Sequence, residues 1–478
     1  MCRSVANTNK GVICLPAEKG LSRRDFVLGA GAVIASLPFL NVERAFAADN
    51  RPNFVLIFTD DQRYDAMSCA GHPFMHTPNM DRIAREGVLF KNAFVTLSLC
   101  APSRACFLTG QYPHKHGVIH NSIGMNPGVT TYPELLQKAG YDTAFIGKWH
   151  FGGKETPQPG FNRWVGFKGQ GVYKNPPINV DGEHVQASGY MTDILTDYAV
   201  EFLKQPRKGP FLLYLPHKAC HGPMIPALRH SKLYADEKIG RPANFDDDCE
   251  GRPEWFKLGM EKGHDFRNAL GDPKEFDEYV RNYDRTLMAV DDGIGRILKT
   301  LEEIGELDNT VVVFSSDNGF FLGEHHRIDK RTANEESIRI PMLMRYPKLV
   351  KPGTVSDDIV LNIDVAPTFL ELAGVKVPDS VQGRSWCDLF KGGKKQWRKD
   401  FLYEYFEDPG FKRTPTMYAV RNERWKYVEY PEVNDIPELY DLKNDPTEMH
   451  NLVKDPKHTG VLTGMRKRLA ELKKETGA

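Results

Sequence analysis

Leu99-Cys100-Ala101-Pro102-Ser103-Arg104-Ala105, closed by Thr109-Gly110, is the stretch on which the reading of this chain turns. Pro102 suits the first turn of a helix, where a missing N–H costs nothing. Gly110 suits the stop, because helices commonly end on a residue in the left-handed region. Cys100 then lies at a helix N-terminus, where free N–H groups and the dipole favour negative charge. Arg104, four residues on, projects from the same face. A buried cysteine before an ordinary capped helix would read the same over five residues, so the surrounding sequence decides.

On either side, short apolar runs end in polar clusters. Asn53–Phe58 ends at Asp60-Asp61, and Thr143–Ile146 ends at Lys148-Trp149-His150. Phe211–Leu215 ends at His217 and His221, and Val311–Phe314 ends at Asp317-Asn318. Helical patterns separate these runs over Pro133–Lys138, Met191–Leu203 and Glu275–Ile304. The last carries Tyr279, Tyr283, Leu287, Val290, Ile294, Ile297 and Leu301 as one apolar stripe. Strand–helix alternation predicts an α/β fold with a large, mostly parallel sheet flanked by helices. Ligands of such sheets bind at the carboxyl ends of the strands. Residues 228–275 have little periodicity and many charges, and read as a surface insertion near the substrate mouth. After a linker at Lys391–Lys395, short strands at Phe401–Phe406, Met417–Arg421, Trp425–Tyr430 and Leu439–Leu442 precede a helix over Val461–Glu475. These predict a smaller antiparallel α+β domain over 394–478, after a catalytic domain over 51–393.

Asp60, Asp61, Asp317 and Asn318 offer only oxygen ligands, a set that selects Ca²⁺ or Mg²⁺ over zinc. A dizinc phosphatase site would want histidines among these carboxylates and a Ser or Thr nucleophile.

Several separated motifs, in order from about residue 52 to 453, resemble the type I sulfatases. They are Cys100-Ala101-Pro102-Ser103-Arg104, Gly147-Lys148-Trp149-His150, Lys218-Ala219-Cys220-His221-Gly222-Pro223 and Ser316-Asp317-Asn318-Gly319. Gly323-Glu324-His325, Asp329-Lys330-Arg331 and Glu335-Glu336-Ser337 follow. The resemblance implies an alkaline-phosphatase-like fold and a formylglycine made from Cys100 by a formylglycine-generating enzyme. It also implies one Ca²⁺ on Asp60, Asp61, Asp317 and Asn318. In that scheme the hydrated aldehyde attacks sulfur, activated by the metal. Arg104, Lys148 and Lys330 neutralise the sulfate oxygens. His221 protonates the leaving alcohol, with Lys330 and then His217 as alternatives, and His150 removes the proton of the second hydroxyl. The segments Asp317–Ser337 and Leu439–Leu452 most resemble carbohydrate sulfatases, including those acting on N-acetylglucosamine 6-sulfate. The expected substrate is therefore a sulfated glycan or sugar. Trp425, Tyr427, Tyr430, Tyr405 and Trp255 are candidates for stacking on sugar faces, though ordinary core packing is the stronger reading of each. Two rival readings are a phosphonate monoester or phosphodiester hydrolase of the same superfamily, and a non-catalytic glycan-binding protein on this scaffold.

The whole-chain features agree. The 478 residues carry 63 Lys plus Arg and 63 Asp plus Glu, so no basic excess points to nucleic acid. A hydrophobic content of 41% and mean hydropathy of −0.46 describe a soluble globular protein with no stable membrane span. Ser22-Arg23-Arg24-Asp25-Phe26, a broken apolar run to Leu40 and Ala45-Phe46-Ala47 read as a twin-arginine signal over residues 1–47. They predict export to the periplasm or beyond. Of eight cysteines, Cys2 and Cys14 fall in that signal, and the remaining spacings form neither a zinc motif nor a disulfide scaffold. His114, His116 and His120 sit in a loop after Pro113, where structural or substrate-loop roles outweigh metal binding.

Overall fold

Residues 50–261, 271–391 and 396–478 are described by a computed structural model. The expected export signal at 1–47 and most of the linker at Lys391–Lys395 lie outside the described residues. Among the described residues no helix is long and apolar enough to cross a membrane.

Eight strands come first in chain order: β1 (Asn53–Thr59), β2 (Val88–Phe94), β3 (Asp142–Lys148), β4 (Arg163–Phe167), β5 (Pro177–Val180), β6 (Glu183–Gln186), β7 (Phe211–Pro216) and β8 (Thr310–Ser316). A ribbon of β9 (Phe321–Leu322) and β10 (Ile328–Asp329) follows, then β11 (Met342–Arg345) and β12 (Thr354–Leu361). All but the ribbon form one ten-stranded sheet in the order β12-β2-β11-β8-β1-β7-β3-β4-β5-β6. β1 pairs in parallel with β7 and β8, β3 with β7 and β4, and β2 with β12. β11 runs antiparallel to both β2 and β8, and β5 antiparallel to β4 and β6. It follows that β1, β2, β3, β7 and β8 all point one way and deliver their carboxyl ends to one edge.

The strand pattern explains the two-sided burial. On β1, Phe54, Leu56 and Phe58 join the core on one face, and Val55 and Ile57 join that on the other. β8 repeats this with Val311 and Val313 against Val312 and Phe314. Strands apolar at every position need helices on both faces. Helices Cys100–Thr109, Tyr132–Lys138 and Val365–Leu372 lie on the first face, with Ala105, Leu136 and Phe369 in its core. Helices Pro78–Arg85, Met191–Lys204 and Pro273–Glu303 lie on the second, with Ile83, Leu195 and Val290 in its core. The long helix starts at Asp272, whose carboxylate accepts from Lys274 N at 2.7 Å. Its stripe divides: Val290, Ile294, Ile297 and Leu301 cover the sheet, and Tyr283 and Leu287 fill a third cluster with Phe276 and Phe320.

The chain ends in a second, antiparallel sheet: β13 (Asp400–Tyr405), β14 (Met417–Asn422), β15 (Trp425–Glu429) and β16 (Glu438–Asp441), in that order. Helix Thr459–Thr476 packs on it through Met465, Leu469 and Leu472. The described residues belong to one compact unit, Asp49–Ala478.

The stretch 228–275 departs from a purely superficial insertion. Asn244, Phe245, Asp247, Arg252 and Phe256 are buried. Arg252 bonds Asp247 at 3.0 Å and the Tyr440 hydroxyl at 2.9 Å, and so fixes this stretch to β16. A charged composition concealed this, because the buried Arg252–Asp247 pair stands among many exposed charges.

Candidate active site

The chemistry-bearing residues converge on the carboxyl edge of the large sheet. β1 ends before Asp60 and Asp61, β3 at Lys148, β7 before His217, and β8 before Asp317 and Asn318. β2 leads through Val95–Leu99 into the helix that begins at Cys100. That helix stops at Gly110, whose φ of 67° is left-handed, where an added Cβ would come within 2.9 Å of Val381. The first turn has no side-chain cap of its own, and Asn121 accepts from the Ala101 N–H at 3.0 Å instead. Gly147 allows β3 to press against β7: a Cβ there would lie 1.9 Å from the Pro216 carbonyl oxygen.

Asp61 takes a left-handed turn, φ 69°, and its N–H donates to Asp317 Oδ1 at 3.1 Å. Oxygens of Asp60, Asp61 and Asp317 then lie within 4.8 Å of one another, all buried. Asn318 Nδ2 donates to Asp61 Oδ1 at 2.7 Å, while Asn318 Oδ1 is buried with no hydrogen-bond partner. Three carboxylates beside an orphaned amide oxygen form an all-oxygen donor set suited to a hard divalent cation.

Cations surround this cluster. Arg104 donates to Asp317 Oδ2 through Nε at 2.9 Å and to the Lys148 carbonyl at 2.7 Å. Lys148 pairs with Asp60 and with the Gln170 carbonyl oxygen. Lys330 pairs with both Asp61 oxygens, at 2.6 and 2.7 Å. Cys100 Sγ lies 3.5 Å from Asp60 Oδ1. His221 turns Nε2 to within 3.7 Å of Asp61 Oδ2, and its Nδ1 lies 2.9 Å from the Gly222 carbonyl. His150, at φ 68°, meets Gln170 at 3.3 Å. The ten residues expected from sequence are therefore brought together.

The electrostatics separate their roles. Burial would raise Asp60, but Lys148, His221 and Arg104 outweigh it and hold the carboxyl well below its usual range. Burial and the Asp60 charge push Asp317 up to about 7 against Arg104. Such crowding is relieved by added positive charge. Burial would lower Lys330, but Asp61 overrides it and holds the ammonium charged. Burial brings His221 down to about 4. Burial and Lys148 take His150 well below its usual value. Burial, then Asp60, pushes the Cys100 thiol up to about 12, so the helix start does not make it a thiolate. An unmodified thiol here is a poor nucleophile.

Asp61, His221 and Lys330 open onto a cavity of about 400 Å³, also lined by Asn121, Gln170, Tyr279, Phe320, Asp329 and Arg331. Asp329 and Arg331 belong to a motif quoted from the sequence. Asn121 and Gln170 come from loops without periodicity or motif. The aromatic candidates fall elsewhere: Trp255 packs on Tyr430, Trp425 on His458, and the buried Tyr405 and Tyr427 belong to the core. His217 is buried and its N–H continues the β1 pairing to the Phe58 carbonyl, away from the cavity lining. His114 bonds Glu404, His116 lies 3.3 Å from Cys106 Sγ, and His120 bonds Ser122, so the three do not converge. His325 is buried against Asp247. Cys69, Cys100, Cys106, Cys220, Cys249 and Cys387 are all free thiols.

A family model described as Sulfatase matches residues 52–375, and one described as N-sulphoglucosamine sulphohydrolase, C-terminal, matches 323–475. The chain is 38% identical over 465 residues to an N-acetylglucosamine-6-O-sulfatase of Bacteroides thetaiotaomicron, covering 84% of this chain and 82% of the relative. It is 29% identical over 479 residues to the N-acetylglucosamine-6-sulfatase of Homo sapiens, covering 88% and 85%. A solved structure of a protein in complex with its substrate D-glucosamine-2-N,6-O-disulfate superposes with a TM-score of 0.83 at 36% identity, covering 89% of this chain and 98% of that one.

Proposed function

Because the chain belongs to the sulfatase family and is a sulfuric ester hydrolase, we propose that it removes sulfate from a glucosamine-type sugar, with an aldehyde made from Cys100 as nucleophile and one bound calcium ion. Cys100 at the helix start, 3.5 Å from Asp60 and ringed by Arg104, Lys148 and Lys330, is the observation that carries this reading. Hydrated, the aldehyde would supply one hydroxyl for attack on sulfur and a second for release of sulfate; calcium, which Asp60, Asp61, Asp317 and Asn318 would hold, would supply positive charge to that chemistry.

The side chains do the rest. Arg104 and Lys148 hold sulfate oxygens and balance their charge. Lys330 does the same from the cavity side. His221 Nε2 faces the cavity, takes a proton as the anionic group enters beside it, and gives it to the leaving sugar oxygen. His150 accepts the proton of the second hydroxyl, for which its neutral ring is suited. The sugar assignment rests on the two N-acetylglucosamine sulfatase relatives and on the structural neighbour's bound aminosugar. We further propose that a twin-arginine signal over residues 1–47 exports the folded protein, and that a formylglycine-generating enzyme acts on Cys100 beforehand.

The test is a comparison of kcat/KM across sulfated monosaccharides, a phosphate diester and a phosphonate monoester. A 6-sulfated glucosamine should lead the panel. A phosphonate ester leading it would replace this reading with the phosphoryl-transfer rival. Asp317→Ala should lose nearly all turnover, and elemental analysis should find one calcium per wild-type chain. Two zinc ions per chain would overturn the metal assignment.

A further inference from the structure

Gln170 has no place in the scheme above, yet it touches two members of it. It sits on the turn after β4, between Gly169 and Gly171, which are both left-handed at φ 57° and 63°. Its carbonyl oxygen accepts from Lys148 Nζ. An ammonium is a donor only, so the amide orientation is fixed by chemistry: oxygen toward Lys148, NH₂ away from it. The NH₂ group then faces His150 Nε2 at 3.3 Å. An N–H donor requires a lone pair on its partner. His150 Nε2 is therefore the unprotonated nitrogen, and the neutral ring carries its hydrogen on Nδ1, which is buried with no hydrogen-bond partner.

We infer that Gln170 is a positioning residue that reads the charge of Lys148 and fixes the tautomer of His150, holding Nε2 unprotonated until the amide yields that lone pair to the proton of the second hydroxyl. A proton arriving at Nε2 would set N–H against N–H, so the amide favours the neutral ring between turnovers. The charged groups facing the ring are Lys148 and Arg104 on one side of the balance and Asp60 on the other, with the titratable His221 ring beside them. Gln170 also lines the cavity, so a bound sugar sulfate reaches the same amide that orients the base. Its functional meaning rests on the reading of His150 as that base.

Nitrogen NMR of the full chain with ¹⁵N-labelled histidine tests it, with His150 assigned by the signals lost in His150→Asn. Near neutral pH the wild type should show a protonated Nδ1 and an unprotonated Nε2. Gln170→Leu should mix or invert the two neutral tautomers and lower kcat/KM about tenfold. Gln170→Glu places a carboxylate where the NH₂ was, and should give an imidazolium protonated at both nitrogens, lowering kcat far more than it changes KM. A wild-type ring protonated at Nε2, or unchanged His150 signals in Gln170→Leu, would overturn the inference. If the spectra follow Gln170 as stated but Gln170→Glu turns over normally, the positioning stands and the assignment of His150 as base falls.

Discussion

The sharpest division of labour lies between two groups on the same Asp61 carboxylate. Lys330 is bound to both of its oxygens at 2.6–2.7 Å, while His221 stands 3.7 Å off and keeps a neutral ring. The first is suited to binding and the second to moving a proton. If His221 protonates the leaving oxygen, its loss should matter most where that oxygen leaves poorly. A sugar alcohol needs the proton, and a nitrophenolate leaves with little help. His221→Ala should reduce kcat on a 6-sulfated sugar by about 100-fold or more, and on nitrophenyl sulfate far less, in parallel steady-state assays. Equal losses on both substrates would make His221 a sulfate-binding residue and reopen the search for the acid.

At the scale of elements, the small sheet grips the loop that carries Lys330. Lys426 on β15 is buried and pairs with Glu335 at 3.0 Å and Glu448 at 2.8 Å, while Arg421 on β14 holds the other Glu335 oxygen at 3.0 Å. Lys426→Met leaves Glu448 buried without its cation, an error that costs about 3–5 kcal/mol in buried pairs. Chemical denaturation should show a loss of that order; a change within about 0.5 kcal/mol, as at ordinary surface sites, would deny the clamp. None of this pairing shows in the sequence, because partners such as Lys426 and Glu335 are 91 residues apart. What was legible follows from local pattern. β1, β3, β7 and β8 are nearly continuous apolar runs; Asp60-Asp61 and Asp317 directly follow β1 and β8, while Lys148 closes β3 and His217 follows β7. β2 escaped notice because Lys91 and Asn92 interrupt its apolar run on the exposed side. β6 is a fully exposed edge strand and β11 has four residues, too few for a period to declare itself. Gln170 was illegible for a different reason: its significance comes only from the tertiary contacts of a glycine-flanked turn.

The molecule as a whole buries many histidines neutral. Burial takes His116 and His217 to about 3, and His72 and His325 to about 4, from an ordinary 6.5. The unfolded chain protonates these rings near pH 6.5, and the folded chain only well below. The folded state therefore binds fewer protons in that window. The stabilising contribution is whole above pH 6.5 and is lost as pH falls toward 4, at about 1.4 kcal/mol per pH unit for each ring. Thermal melts should show stability declining from about pH 6.5, with His116→Asn flattening the decline. A flat Tm down to pH 4.5 would contradict it. Burial, with the Asp60 charge beside it, pushes the Cys100 thiol away from ionisation, which favours the proposed modified residue at this edge. The most direct test is the mass of the tryptic peptide Asn92–Arg104 from fully active protein made alongside a formylglycine-generating enzyme. The account predicts that residue 100 is an aldehyde, lighter than cysteine and reactive toward hydrazide, in proportion to activity. Full turnover from protein carrying only the unmodified Cys100 thiol would contradict it.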